Sequence, residues 1–203
     1  MQRRTLEWVV KSSALEGFYM AGGTALYIKY QHRPSEDFDF FTYPNFSLDI
    51  FILQRKLDKI PVRTEYLIVT KDTLVFLLEG VKFSFFEYTY PLLKPTSLNQ
   101  TLSVELASDD DLACMKTIAI AQRGLKKDFY DLWFLMKKHA WSLNDIVNLV
   151  GQKYRNVDRR ILLKSLIYFE DAEKESYPDI DPHWNEVKSY FIKNHQELIK
   201  RLS

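Results

Sequence analysis

The sequence predicts an α+β fold: a small mixed β-sheet core with packed helices, followed by a C-terminal helical bundle. Three observations predict it. Between Val62 and Tyr90, runs rich in β-branched and aromatic residues are separated by Lys71-Asp72 and Glu79-Gly80, the short turns of a meander. Ahead of them, helix-period segments alternate with short apolar strands. Beyond Pro95 the pattern is helical, with no further convincing strand. The expected division is therefore 1–95 for the α+β core and 96–203 for the helical domain.

In order, Arg3 to Leu15 reads as an amphipathic helix with Leu6, Val9 and Val10 inward, stopped by Gly17. Phe18 to Ala21 is a short apolar strand. Gly22-Gly23 turns the chain into a helix from Thr24 to about Gln31, and Pro34 ends that region. Asp37 to Phe41 alternates acid and aromatic, which is strand periodicity. Ser47 to Lys59 reads as a helix capped by Ser47, with Leu48, Phe51, Ile52 and Leu57 among its buried residues. Tyr66 to Val69, Thr73 to Leu78 and Val81 to Tyr88 supply the meander. Ser108 before Asp109, Asp110 and Asp111 is a strong helix start, because the acids face the positive end of the dipole. That helix runs to Gln122 or Arg123. Others follow at about Lys127 to Lys138, Leu143 to Tyr154, Val157 to Ala172 and Trp184 to Leu202.

The balance of 28 basic and 27 acidic side chains gives a net charge of +1, so no global field marks a nucleic-acid partner. Local clusters remain at Arg123 to Lys127 and Arg155 to Arg160. A single cysteine, Cys114, excludes an intrachain disulfide and suits a reducing compartment. It sits in an apolar helical pattern, where a buried small hydrophobe is expected. No run approaches a membrane span, and MQRRTLEWVV is not a signal peptide, so a cytoplasmic address is expected. His32, His139, His183 and His195 lack zinc-ligand spacing, and no Walker or nucleophile-elbow motif is present.

The stretch AGGTALYIKYQHRPSEDFDFF carries the chemistry. A strand ending in Gly22-Gly23 at a helix start exposes backbone N–H groups, with no Cβ in the way of a phosphate. Asp37 and Asp39 share one side of an extended segment, where two hard oxygen donors suit Mg²⁺ (or Mn²⁺), while Phe38 and Phe40 face the core. A phosphate cradle beside a two-carboxylate metal site is what nucleotidyl transfer requires. Each piece alone favours an ordinary turn, helix and half-exposed strand; the two in this order favour the transferase.

Gly22-Gly23-Thr24 followed by Arg33-Pro34-Ser35-Glu36-Asp37-Phe38-Asp39-Phe40 resembles the first motif of the polymerase-β-like nucleotidyltransferase superfamily. The embedded Arg-x-Ser-x-Asp-x-Asp resembles in particular the AbiEii/AbiGii-type nucleotidyltransferase toxins. Lys116, Ala119 and Arg123 are similar to that family's Lys-x-x-Ala-x-x-x-Arg helix, and Lys127, Asp128, Asp131 and Leu132 to its Lys-Asp-x-x-Asp-Leu segment. The strand Gly80 to Phe86 is also similar.

The resemblance implies a transferase moving an NMP from an NTP to an acceptor hydroxyl. Under it, Gly22, Gly23 and Thr24 hold phosphates, Asp37 and Asp39 bind the metal, and Arg33 and Ser35 orient the loop or touch the triphosphate. Lys116 and Arg123, on one face of their helix, bind nucleotide charge. Asp128 acts at the acceptor as base or hydroxyl-positioner, whereas Asp131 ties its helix to neighbours. The implied partners are NTP, tRNA or other RNA, and an antitoxin protein. The alternatives are a protein or small-molecule acceptor, or a catalytically silent module that binds NTP or a partner protein. One departure stands out. Where many superfamily members supply a third carboxylate from a later strand, this chain has Ser84, and Glu87 is out of phase with it.

Overall fold

Alternation along Phe38–Thr42 decides which way the sheet faces. Phe38 and Phe40 are buried and stack on Phe83 and Phe85, with ring centroids 4.9 and 5.0 Å apart. Asp39 and Phe41 consequently lie on the opposite face. In the computed structural model, which describes residues 2–202 and side chains through residue 200, this strand belongs to the first of two compact units. The first unit spans Met1–Tyr30 and Pro34–Ser108; the second comprises Gln31–Arg33 and Asp109–Ser203.

The first unit is built on seven strands: β1 (Phe18–Ala21), β2 (Phe38–Thr42), β3 (Thr64–Val69), β4 (Thr73–Leu78), β5 (Val81–Phe86), β6 (Ser97–Asn99) and β7 (Val104–Leu106). They form one sheet in the order β3-β4-β5-β2-β1-β7-β6. β1 pairs antiparallel with β2, while β2–β5 and β1–β7 are parallel, so the sheet is mixed. Helices α1 (Gln2–Lys11), α2 (Gly22–Tyr30) and α3 (Ile50–Leu57) complete the unit.

Four expectations are corrected here. Strands do occur beyond Pro95. β6 and β7 are three residues each, too short to show a period, and parallel pairing places Leu106 beside Met20. Because they complete the first sheet, the division falls at Ser108/Asp109 and not after residue 95. Asp49, not Ser47, caps α3: its side chain accepts a hydrogen bond from the Ile52 amide at 3.0 Å. Phe51 and Ile52, expected in the core, are 82% and 56% exposed, since the helix turns Leu53 and Leu57 inward instead.

In the second unit, α4 (Asp109–Arg123), α5 (Lys126–His139), α6 (Leu143–Lys153), α7 (Arg159–Ser165) and α8 (Trp184–Leu202) form a helical bundle. Phe129 of α5 packs edge-on against Trp184 and Phe191 of α8. The acidic start of α4 does more than meet the dipole. Asp111 forms a fully buried ion pair with Lys153 of α6 at 2.7 Å, and Asp109 meets His139 at 2.7 Å. α7 is shorter than the Val157 to Ala172 expected: Asp158 caps it through the Arg160 amide, and the chain leaves the helix after Ser165. Among the described residues no helix is long and apolar enough to cross a membrane.

Candidate active site

In the first unit the site begins at the end of β1. Gly22 has φ +73°, and a Cβ there would lie 2.8 Å from Asp39 Oδ2. Only glycine combines that conformation with so close an approach. The backbone of the Gly22-Gly23 turn and the Asp39 carboxylate are thereby held side by side. Ala21 and Asp39 are cross-strand partners, so the register of β1 on β2 produces this contact.

Asp37 lies just before β2 and forms an ion pair with Lys82 at 2.5 Å. The loop carrying Asp37 is fastened by Thr24. The buried Thr24 hydroxyl donates to the Asp37 carbonyl and is hydrogen-bonded to the Ser35 hydroxyl at 2.9 Å. Thr24 and Ser35, expected at the nucleotide, thus at minimum set the position of Asp37. Ser84 pairs with Asp39 in the parallel register and is 3% exposed, so it occupies the position of the missing third carboxylate. Glu87 lies outside that position and accepts a hydrogen bond from the Leu48 amide.

The two carboxylates suit a divalent cation of the Mg²⁺ type, which takes one or two protein carboxylates and completes its shell with phosphate oxygens and water. Among the described residues no cluster of three or more His, Cys, Asp or Glu is arranged for a metal. Cys114 is buried, and burial pushes its thiol up to about 12, which leaves it inert as a nucleophile.

In the second unit Arg33, Lys116, Arg123 and Asp128 are joined into one network, and Asp131 is its centre. Asp131 is fully buried. It accepts two hydrogen bonds from Arg33, at 2.6 and 2.7 Å, one from His32 at 2.7 Å, and an ion pair from Lys116 at 2.7 Å. Lys116 also reaches Asp128 at 2.9 Å, and Arg123 grips Asp128 through two bonds of 2.7 and 3.0 Å. Lys116 on α4 and the two aspartates on α5 face each other as the i, i+3 and i+7 spacings require.

Electrostatics keep this network fully charged. Burial alone would raise the Asp128 and Asp131 carboxyls, but Lys116 and the neighbouring cations outweigh it and hold both below the usual range. Burial likewise works against the charge on Lys116 and Arg33, and the aspartates reverse the sign and push both up. Such a network is strong as a unit and costly to break at one member. Arg33 is only 8% exposed and bidentate to Asp131. That pairing fixes the Arg33 side chain within the second unit.

Sequence reasoning missed two residues of these constellations. Lys82 carried a usable signal, being two residues before Ser84 and so on the Asp39 side of the sheet. His32 carried none, because its partner is 99 residues away.

The family model described as nucleotidyl transferase AbiEii toxin, type IV toxin–antitoxin system, matches residues 4–197. The chain belongs to the AbiEii nucleotidyltransferase toxin family. An uncharacterized protein from Aquifex aeolicus is 54% identical to it over 199 residues, 98% of this chain and 96% of its relative. The AbiEii fold seen here is similar to that of MenT4, a nucleotidyltransferase toxin from Mycobacterium tuberculosis. The TM-score is 0.56 at 14% identity, covering 96% of this chain and 84% of MenT4. The Megavirus polyadenylate synthase is similar over 78% of this chain and 33% of its own, with a TM-score of 0.50 at 15% identity. At these identities the likeness is one of fold. AbiEii membership makes the chain a nucleotidyltransferase, and the α+β class and the family resemblance drawn from the sequence both hold.

Proposed function

We propose that the chain moves an NMP from an NTP to a hydroxyl of RNA, with tRNA as the favoured acceptor, in a Mg²⁺-dependent reaction. The acceptor hydroxyl attacks the α-phosphorus, and pyrophosphate leaves. The observation that carries this is the 2.8 Å approach of a would-be Gly22 Cβ to Asp39 Oδ2. It sets a backbone turn suited to phosphate beside a carboxylate suited to a metal, which supports this reading.

Asp37 and Asp39 would hold the metal, which when bound neutralises the triphosphate and lowers the pKa of the attacking hydroxyl. Gly22 and Gly23 present N–H groups to phosphate, and Thr24 with Ser35 orients the Asp37 loop. In the second unit, Lys116 and Arg123 supply cations for nucleotide charge. Asp128, held ionised by those cations, is a weak base; its role is to accept a hydrogen bond from the acceptor hydroxyl and orient it. As a toxin of a type IV system the protein acts in the cytoplasm, opposed by an antitoxin.

The test is direct. Purified protein is incubated with each α-labelled NTP, Mg²⁺ and either tRNA, total RNA, total protein or an aminoglycoside. Label on tRNA that disappears with chelator and with Asp39→Asn supports the proposal. Label confined to protein or the small molecule replaces the acceptor. No transfer to any acceptor, with NTP still bound, makes this chain a silent member of its family.

A further inference from the structure

The corner where α6 gives way to α7 carries a hollow that the reaction above does not use. It lies wholly within the second unit, has a volume of about 170 Å³, and sits over the buried Val147, Val150 and Leu162. Arg155 and Arg159 also line it, and no lining residue is acidic. Gly151 lies beside the second arginine: a Cβ there would stand in ordinary contact with Arg159 Nη2, at 3.6 Å. Among the described residues neither Arg155 nor Arg159 forms an ion pair, so both guanidinium groups keep their charge available. Arg160 and Lys164 extend the basic surface along α7, Arg160 meeting Asp158 only at 3.5 Å with its side chain 89% exposed. Residues 155–164 hold four basic side chains and one acidic, three net positive charges against +1 for the whole chain. Exposed Ile161 lies between Arg160 and Lys164, and exposed Tyr168 follows them.

A solvated helix face needs no hollow lined by two guanidinium groups without ion-pair partners. Arginine forks match phosphate oxygens bidentately and stack on planar rings. A hollow of this size lined by guanidinium groups suits an unstacked base, which only a single strand offers freely. We propose that this surface binds single-stranded RNA, with Arg155, Arg159, Arg160 and Lys164 on successive phosphates and one base in the hollow. This rests on the RNA-acceptor reading above. It adds a docking track for the strand, separate from the residues assigned to transfer.

The test uses the full chain and a fluorescent single-stranded oligoribonucleotide, titrated at several salt concentrations. Arg155→Gln/Arg159→Gln is expected to weaken binding about tenfold or more and to flatten the slope of log K against log salt by about 1.4. Gly151→Leu, which fills the hollow without altering charge, is expected to weaken oligoribonucleotide binding about fivefold with the slope unchanged. Affinity for a fluorescent NTP analogue stays at the parent value in both variants. If the parent binds the strand and both variants bind it equally well, the surface is wrong while the RNA-acceptor reading stands. If the parent binds no RNA and labels another acceptor, the reading itself falls and the docking track with it.

Discussion

Ser84 stands beside Asp39 in the parallel pairing of β2 with β5, buried where the sequence leads us to expect a third carboxylate. A serine hydroxyl is a poor ligand for Mg²⁺ compared with a carboxylate, so under the proposed function the task falls to Asp37 and Asp39. Its neighbour Lys82 pairs with Asp37. The face therefore carries two acids and one cation, a milder charge density than three acids would give.

Replacing Ser84 with Asp tests that geometry. A second carboxylate next to Asp39 in a buried position is expected to cost about 1–3 kcal/mol without divalent ions. Mg²⁺ or Mn²⁺ relieves the repulsion, so the rise in melting temperature on adding metal is larger for Ser84→Asp than for the parent. An equal rise in both proteins means that Asp39 is not at the metal.

Gly22→Ala places a methyl group where the Asp39 carboxylate now lies, in a backbone conformation that L-residues rarely adopt. The expected loss is about 1–3 kcal/mol of stability, seen in thermal melts. Transfer activity falls further than the melt alone explains, because Asp39 must move. A variant as active as the parent would remove the Gly22 turn from the site.

Asp131→Asn removes the charge at the centre of the second unit's network and leaves Arg33 and Lys116 buried without it. A loss of about 3–5 kcal/mol is expected. The pH dependence has a fixed sign. The folded-state pKa of Asp131 lies below the ordinary aspartate value of about 3.9. Its contribution is therefore complete above that value and is lost as pH falls toward the folded-state pKa. Asp128 shifts in the same direction. Melting temperature plotted from pH 6 down to pH 2.5 should fall more steeply for the parent than for Asp131→Asn. Parallel curves would show that Asp131 does not carry the acid sensitivity.

Local patterns in the chain reveal the parts that local patterns control. Phe38-Asp39-Phe40 alternates cleanly, so the core face and the carboxylate face of β2 are legible, as is the glycine turn before α2. β6 and β7 are not, because their stability comes from pairing near a strand more than 75 residues earlier in the chain. The phase of α3 is not, because Ile50, Phe51, Ile52 and Leu53 are apolar in succession and offer every face. Lys116, Arg123 and Asp128 were visible as spaced charges on two helices. That Asp131 sits at their centre, drawing in His32 and Arg33, depends on contacts across the fold that spacing does not encode.

Lys116 and Arg123 differ in exposure, and that difference separates folding from function. The Lys116 side chain is 6% exposed and bridges Asp128 and Asp131. Lys116→Met leaves two buried carboxylates short of a cation and is expected to destabilise by about 3 kcal/mol, lowering transfer through the fold as well as the site. The Arg123 side chain is 52% exposed and pairs with Asp128. Arg123→Gln should therefore change stability by no more than about 1 kcal/mol. If Arg123 grips nucleotide charge, the same substitution lowers NMP transfer about 10²-fold and raises the KM for NTP, while the melt stays near the parent's. Transfer at the parent rate and KM would make Arg123 an ordinary surface partner of Asp128.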